Sequence, residues 1–265
     1  MEFVAILSAY LMVGVIAGLS AGLFGVGGGL IIVPALATIF TLQNVTSQSL
    51  MQLAVGTSLA VIIVTSISSV TAHHKHGAVQ WVLFRKMAAF IVAGSLLGAF
   101  IATRVPSESL KIVFGVLEMI IALQMYFEFR PRPTRGLPGI VGLAGVSSGI
   151  GVVSAVAGIG GGTMMVPFLT WCNVTIHKAV ATSAACGMPI AIAGSIGFMV
   201  LVPAAIDLPD KAIGFVYWPA LLGIAAASML AAPVGARLAH RLPTHKLRRA
   251  FALFLFVIGL SMLLA

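Results

Sequence analysis

The chain has 265 residues, of which 60% are hydrophobic and only 8% charged. A soluble domain carries about 25% charged residues, so composition excludes one and points to a helical integral membrane protein. The formal net charge of +9 then reads as basic cytoplasmic loops rather than a nucleic-acid surface. The long continuous apolar runs do not fit the alternating pattern of a β-barrel.

Taken in order, the first half offers five apolar helical segments, over residues 3–24, 30–42, 48–71, 81–103 and 109–128. The second offers five more, over 137–158, 163–173, 179–203, 213–238 and 247–264. The opening run, MEFVAILSAYLMVGVIAGLS, has no basic stretch and no clear cleavage site, so it is kept as part of the mature protein. A membrane span needs about 20 apolar residues. Segments 30–42 and 163–173 fall well short, follow a run of glycines and carry a proline. The first two segments of each half therefore read as a hairpin that enters the membrane, breaks at the glycines and returns to its starting side.

The two breaks are copies of each other. GLFGVGGGLIIVPAL (Gly22 to Leu36) recurs 133 residues later as AVAGIGGGTMMVPFL (Ala155 to Leu169), with Gly25 matching Gly158. AVGTS (Ala54 to Ser58) recurs as AVATS (Ala179 to Ser183) at an offset of 125, and GAFIATRVPSESL (Gly98 to Leu110) as GARLAHRLPTHKL (Gly235 to Leu247) at 137. Collinear matches of this kind mark a duplication. The seam is FRPRPTRGLPG, Phe129 to Gly139, whose prolines and arginines make a linker. The expected organisation is an N-terminal repeat over 1–129, a linker over 130–138 and a C-terminal repeat over 139–265.

Charge sets the expected topology. With the linker cytoplasmic and each hairpin returning to its own side, twelve Lys and Arg lie inside and three outside, namely Arg104, Lys111 and Lys211. If each hairpin crosses once instead, the split is seven against eight. The positive-inside rule selects the first arrangement. It leaves three full crossings plus one hairpin per half, an odd count, so the two halves are inverted and both termini lie outside. The predicted fold is all-α and integral to the membrane, with two inverted-topology repeats, each a glycine-broken hairpin plus three transmembrane helices. That is a transporter plan.

Candidate site residues follow from the breaks. Adjacent glycines stop a helix and leave backbone bare, and the next helix points its positive end and free N–H groups at the break. Gly27, Gly28 and Gly29 with Gly160, Gly161, Gly162 and Thr163 therefore read as an anion site built from backbone, against an alternative of close helix packing. No intramembrane Arg or Lys is available to hold an anion, so the backbone would have to do so. Thr57 and Ser58, matched by Thr182 and Ser183, read either as substrate contacts or as hydroxyls bonded to their own helix. Glu118 is the one acid deep in an apolar run, and proton coupling and a structural pairing are both open. Its repeat mate is Leu255, and Gln124 shares its face. His73, His74 and His76 read as a basic loop rather than a metal site, with no carboxylate or cysteine near. Cys172 and Cys186 read as buried small hydrophobes. No Walker motif or nucleophile–base pair is present, and neither cofactor nor metal is expected.

At the doubled G-x-G-G-G…V-P motif the chain resembles the TauE/SafE family of sulfite and organosulfonate exporters, and the resemblance covers both halves. It implies no enzyme but a multi-pass carrier in the cell's inner membrane, moving sulfite, sulfate or organosulfonates such as sulfoacetate, with the substrate between the two glycine-broken hairpins. If Glu118 serves coupling rather than a structural pairing, protons are the expected coupling ion. The implied partners are the small anion and the lipid bilayer. An anion channel, or a membrane scaffold or assembly factor, is the alternative.

Overall fold

A computed structural model describes residues 2–24, 27–45, 47–75, 77–127, 136–204, 206–239 and 244–264. Gly25, His76, Arg241 and the linker positions 130–135 lie outside the described residues. The fold is helical. Its elements are α1 (Glu2–Phe24), α2 (Gly29–Leu42), a 3-10 turn (Ser47–Ser49), α3 (Leu50–Lys75), α4 (Trp81–Ala102) and α5 (Ser107–Tyr126), then α6 (Ile140–Ala157), α7 (Gly162–Trp171), α8 (Ile176–Val200), α9 (Trp218–Ala239) and α10 (Thr244–Leu264). Between α8 and α9 a two-stranded antiparallel hairpin pairs β1 (Ala212–Ile213) with β2 (Val216–Tyr217).

Most bounds hold to within three residues, and two move further. The segment expected over 213–238 starts as strand and becomes helix only at Trp218, because Gly214 takes a left-handed φ of +55° that a helix cannot hold. The segment expected over 48–71 runs on to Lys75, drawing His73 and His74 into the last turn of α3. Basic groups there face the negative end of the helix dipole.

Among the described residues, seven helices are long and apolar enough to cross a membrane: α1, α3, α4, α5, α6, α8 and α9. The short α2 and α7, of 14 and 10 residues, follow the glycines as expected. Each starts from a left-handed glycine, Gly28 at φ +77° and Gly161 at φ +48°, with no side-chain cap. Each carries an internal proline, Pro34 or Pro167. Such a residue has no N–H to give, so the carbonyl four positions earlier loses its helical partner. α2 doubles back along α1: Gly28 packs on Ala17, and Gln43 Nε2 beyond its far end donates to Tyr10 Oη at 3.1 Å.

α3 and α8 are the most buried spans and form the centre. They run in opposite directions, since Gly56 meets Phe198, Leu59 meets Gly194 and Ser66 meets Gly187. Around them the halves interleave. α1 packs on α9, α6 on α4 and α5 on α10. Small residues permit these approaches: a Cβ on Gly18 would lie 2.5 Å from Ser228 O, and one on Gly151 would lie 2.6 Å from Ile91 O. α1 and α9 run the same way, as do α4 and α6, whereas α5 and α10 run oppositely, with Gly115 by Leu263 and Arg249 over the Tyr126 ring. Leucines, isoleucines and valines on the outer helices are exposed, as lipid-facing positions are.

Candidate functional site

The two glycine breaks meet. A Cβ on Gly27 would lie 3.5 Å from Gly160 Cα and 3.7 Å from Gly160 N. One on Gly29 would collide with the Gly158 carbonyl oxygen. Gly187 of α8 completes the crossing, where a Cβ would lie 3.3 Å from Gly160 O. Gly27 and Gly160 bring no side chain of their own, so backbone of one half faces backbone of the other, with the Ile62 and Ile190 side chains packed against Gly160 and Gly161. Gly27 and Gly28 both take positive φ, +83° and +77°. That conformation costs an L-residue about 1–2 kcal/mol and suits glycine. Among the described residues, the N–H groups of Gly160, Gly161 and Thr163 meet no protein acceptor. The hydroxyls of Thr163 and Ser154 are likewise buried without a partner.

The matched Thr–Ser pairs are placed differently from one another. Ser58 Oγ donates to Gly158 O at 2.8 Å, so α3 of the first half holds the break of the second. Ser183 is fully buried and its hydroxyl has no partner among the described residues. Thr57 Oγ1 accepts the Tyr217 N–H at 2.9 Å, and Thr182 Oγ1 accepts the Gln80 N–H at 3.0 Å. Neither threonine uses its own helix's carbonyl there. Each instead holds the backbone just before a tryptophan, Trp218 or Trp81, that opens the fourth helix of the opposite half.

Those tryptophans expose a repeat that the sequence reading passed over. Gly77-Ala78-Val79-Gln80-Trp81 and Gly214-Phe215-Val216-Tyr217-Trp218 share G-x-V-x-W at the offset of 137 already found for GAFIATRVP. Extending that alignment upstream would have found it.

Glu118 lies away from the crossing. It is fully buried on α5 with both carboxylate oxygens unpartnered among the described residues, and its Cβ faces Gly259 of α10. Leu255, its repeat mate, is also fully buried. Gln124 is only partly buried. His73 and His74 lie in the last turn of α3, where His74 Nδ1 accepts the Trp81 indole N–H at 3.2 Å. Cys172 and Cys186 are both buried, and neither forms a disulfide among the described residues. Among the described residues no three His, Cys, Asp or Glu come together.

Two open cavities sit towards opposite ends of the helices. One of about 610 Å³ is lined by Gln48, Gln52, Arg104, Ser107 and Pro203, among others. Another of about 400 Å³ is lined by Gln80, Trp81, Lys86 and Leu143, among others. Each contains one basic side chain, and the first also contains the acidic Glu108.

A family model described as "Sulfite exporter TauE/SafE" matches residues 10–262. A probable membrane transporter protein of Haemophilus influenzae is 37% identical over 256 residues, 96% of this chain and 97% of its own. A probable membrane transporter protein of Methanocaldococcus jannaschii is 29% identical over 99% of this chain and 97% of its own. The Bacillus subtilis probable membrane transporter protein YunE is 27% identical over 95% of each. No solved structure matches the chain.

Proposed function

The chain belongs to the TauE/SafE sulfite exporter family of membrane transporters, and we propose that it exports a small sulfur-containing anion across the inner membrane. The substrate class is sulfite, sulfate or an organosulfonate such as sulfoacetate. The anion sits where Gly27–Gly29 of one half face Gly160–Gly162 of the other. The single observation that carries this reading is the meeting of Gly27 and Gly160. Bare backbone at membrane depth is tolerated where it is covered by protein or lines a cavity. Here the N–H groups of Gly160, Gly161 and Thr163, at the positive end of α7, meet no acceptor among the described residues, and α2 starts at the facing break, an arrangement that suits an oxyanion without any lysine or arginine. Lys86 in one end cavity would draw an anion in from that side, whereas in the other Arg104 shares the lining with Glu108.

The same reading takes residues 1–129 and 139–265 as inverted repeats. The opposed directions of α3 and α8, and of α5 and α10, support it. So does the exchange in which α1 packs on α9 as α6 packs on α4. Thr57 and Thr182 act at the edge of the site rather than on the anion, while Ser58 and Ser183 border it. Glu118 is the proton-coupling candidate, because a buried carboxyl without a partner can hold and release a proton.

Proteoliposomes loaded with sulfite, sulfate, sulfoacetate or a neutral sulfone, with and without a pH gradient, test this. Saturable counter-flow of the sulfur anions, but not of the sulfone, is expected. Non-saturable, purely voltage-driven conductance would replace the carrier with a channel, and no flux of any anion would overturn the proposal.

A further inference from the structure

The duplicated G-x-V-x-W segments are tied into the molecule in the same way at both ends. In the first, the Ala78 N–H donates to His73 O at 3.3 Å and the Gln80 N–H to Thr182 Oγ1 at 3.0 Å. In the second, the Phe215 N–H donates to Phe198 O at 2.9 Å and the Tyr217 N–H to Thr57 Oγ1 at 2.9 Å. His73 and Phe198 are repeat mates at the offset of 125, as Thr57 and Thr182 are. Both segments begin at a left-handed glycine, Gly77 at φ +62° and Gly214 at φ +55°. Both press a buried valine inward. Val79 packs against Ala181 and Ala185 of α8, and Val216 is fully buried beside α3.

We propose that these two segments are the gates at the two ends of one translocation path, with Thr182 and Thr57 as their latches. The inference rests on the transport reading above and adds the parts that open and close. α3 and α8 are the central, opposed helices, and each gate closes over one end of that pair. The latch is the threonine of A-V-x-T-S, next to a serine. In the first copy that serine, Ser58, grips the Gly158 carbonyl of the opposite break. One turn of α3 thus touches the anion site with Ser58 and the gate at Gly214–Trp218 with Thr57. A shift of the break on anion binding or release reaches the gate through adjacent residues. A neutral hydroxyl-to-amide hydrogen bond is weak enough to break within a transport cycle. Loss of the Thr57 latch frees the Gly214–Trp218 gate, outside in the proposed topology. Loss of the Thr182 latch frees the Gly77–Trp81 gate, inside. Both latches are closed in this structure, which is the occluded arrangement that alternating access passes through.

The latch residues are separable from mere structural support by the side on which each acts. Ser66→Cys, in a chain also carrying Cys172→Ala and Cys186→Ala, reports access to the crossing, because Ser66 faces Gly187 beside the Gly160 carbonyl. Its reaction with a membrane-impermeant maleimide is measured in right-side-out and inside-out vesicles. With Thr57→Val the rate from outside rises about fivefold, as loss of one neutral hydrogen bond allows, while the rate from inside stays at the parent value. Thr182→Val gives the opposite pattern, and Thr57→Ser and Thr182→Ser return the parent rates. If Val at either site prevents accumulation, the Ala variants carry the same expectation. Unchanged rates, or equal increases from both sides, overturn the gates. Opposite effects with the sides exchanged keep the gates and overturn the topology. Gated access in a protein that moves no sulfur anion overturns the substrate assignment alone.

Discussion

Ser58 shows how much one hydroxyl carries. It donates to the Gly158 carbonyl, which is the first residue of the second break, from a helix of the other half. Ser58→Ala leaves that buried carbonyl unpaired, a loss of about 1–3 kcal/mol. A lowered melting temperature in detergent and weaker anion binding are expected together, and a full-strength site at parent stability would remove Ser58 from the account. Glu118 belongs to the same scale. Its oxygens have no partner among the described residues, and a Cβ on Gly259 would lie 3.4 Å from its own. Glu118→Gln keeps the shape and removes the titration. Parent flux should follow an imposed proton gradient, and the variant's should not, with binding largely kept. An unchanged pH profile would make Glu118 structural. Neither the Ser58 partner nor the threonine partners were legible in the sequence, because they lie 100, 102 and 160 residues away. Local rules favour a carbonyl four residues back, and that rule holds elsewhere here, as with Thr38 on Pro34 O.

At the scale of the element, the breaks and the short helices were legible because glycine and proline act on their own backbone. Three adjacent glycines followed by Val-Pro cannot continue a helix, whatever surrounds them. Which helices pack together was not legible, because nearly all of them are apolar on every face. The pairing of α1 with α9 and of α4 with α6 is selected by small residues at the crossings. This gives a sharp contrast on a single helix. Gly151→Val drives a branched side chain against Ile91 O and should cost about 3 kcal/mol or more, read as lost folded yield. Gly149→Ala, with nothing within 4 Å of the new methyl, should be neutral or slightly stabilising. The β1–β2 hairpin was missed because two-residue strands carry no periodicity. Its trace was the offset itself, which grows from 125 to 137 between α8 and α9 and so marks 12 added residues on that side.

For the whole molecule, the alternation of helix direction and the basic residues agree. In the proposed orientation Lys75, Arg85, Lys86, Lys178 and Arg249 fall at the cytoplasmic ends of their helices, and Arg104, Lys111 and Lys211 on the opposite side. A cysteine at Asp207, exposed beyond α8, should react with an impermeant label from outside, and one at Pro243 should not. The reverse pattern would sink the proposed orientation. The claim on which the rest depends is that the two breaks form one site rather than two. Calorimetric titration of the purified chain with sulfite tests it most directly, alongside Gly28→Val and Gly161→Val, each of which puts a branched residue at a left-handed position. The account predicts one anion per chain, with binding abolished by either substitution alone. Two anions per chain, with each variant losing only one, or undiminished binding in both variants, would contradict it.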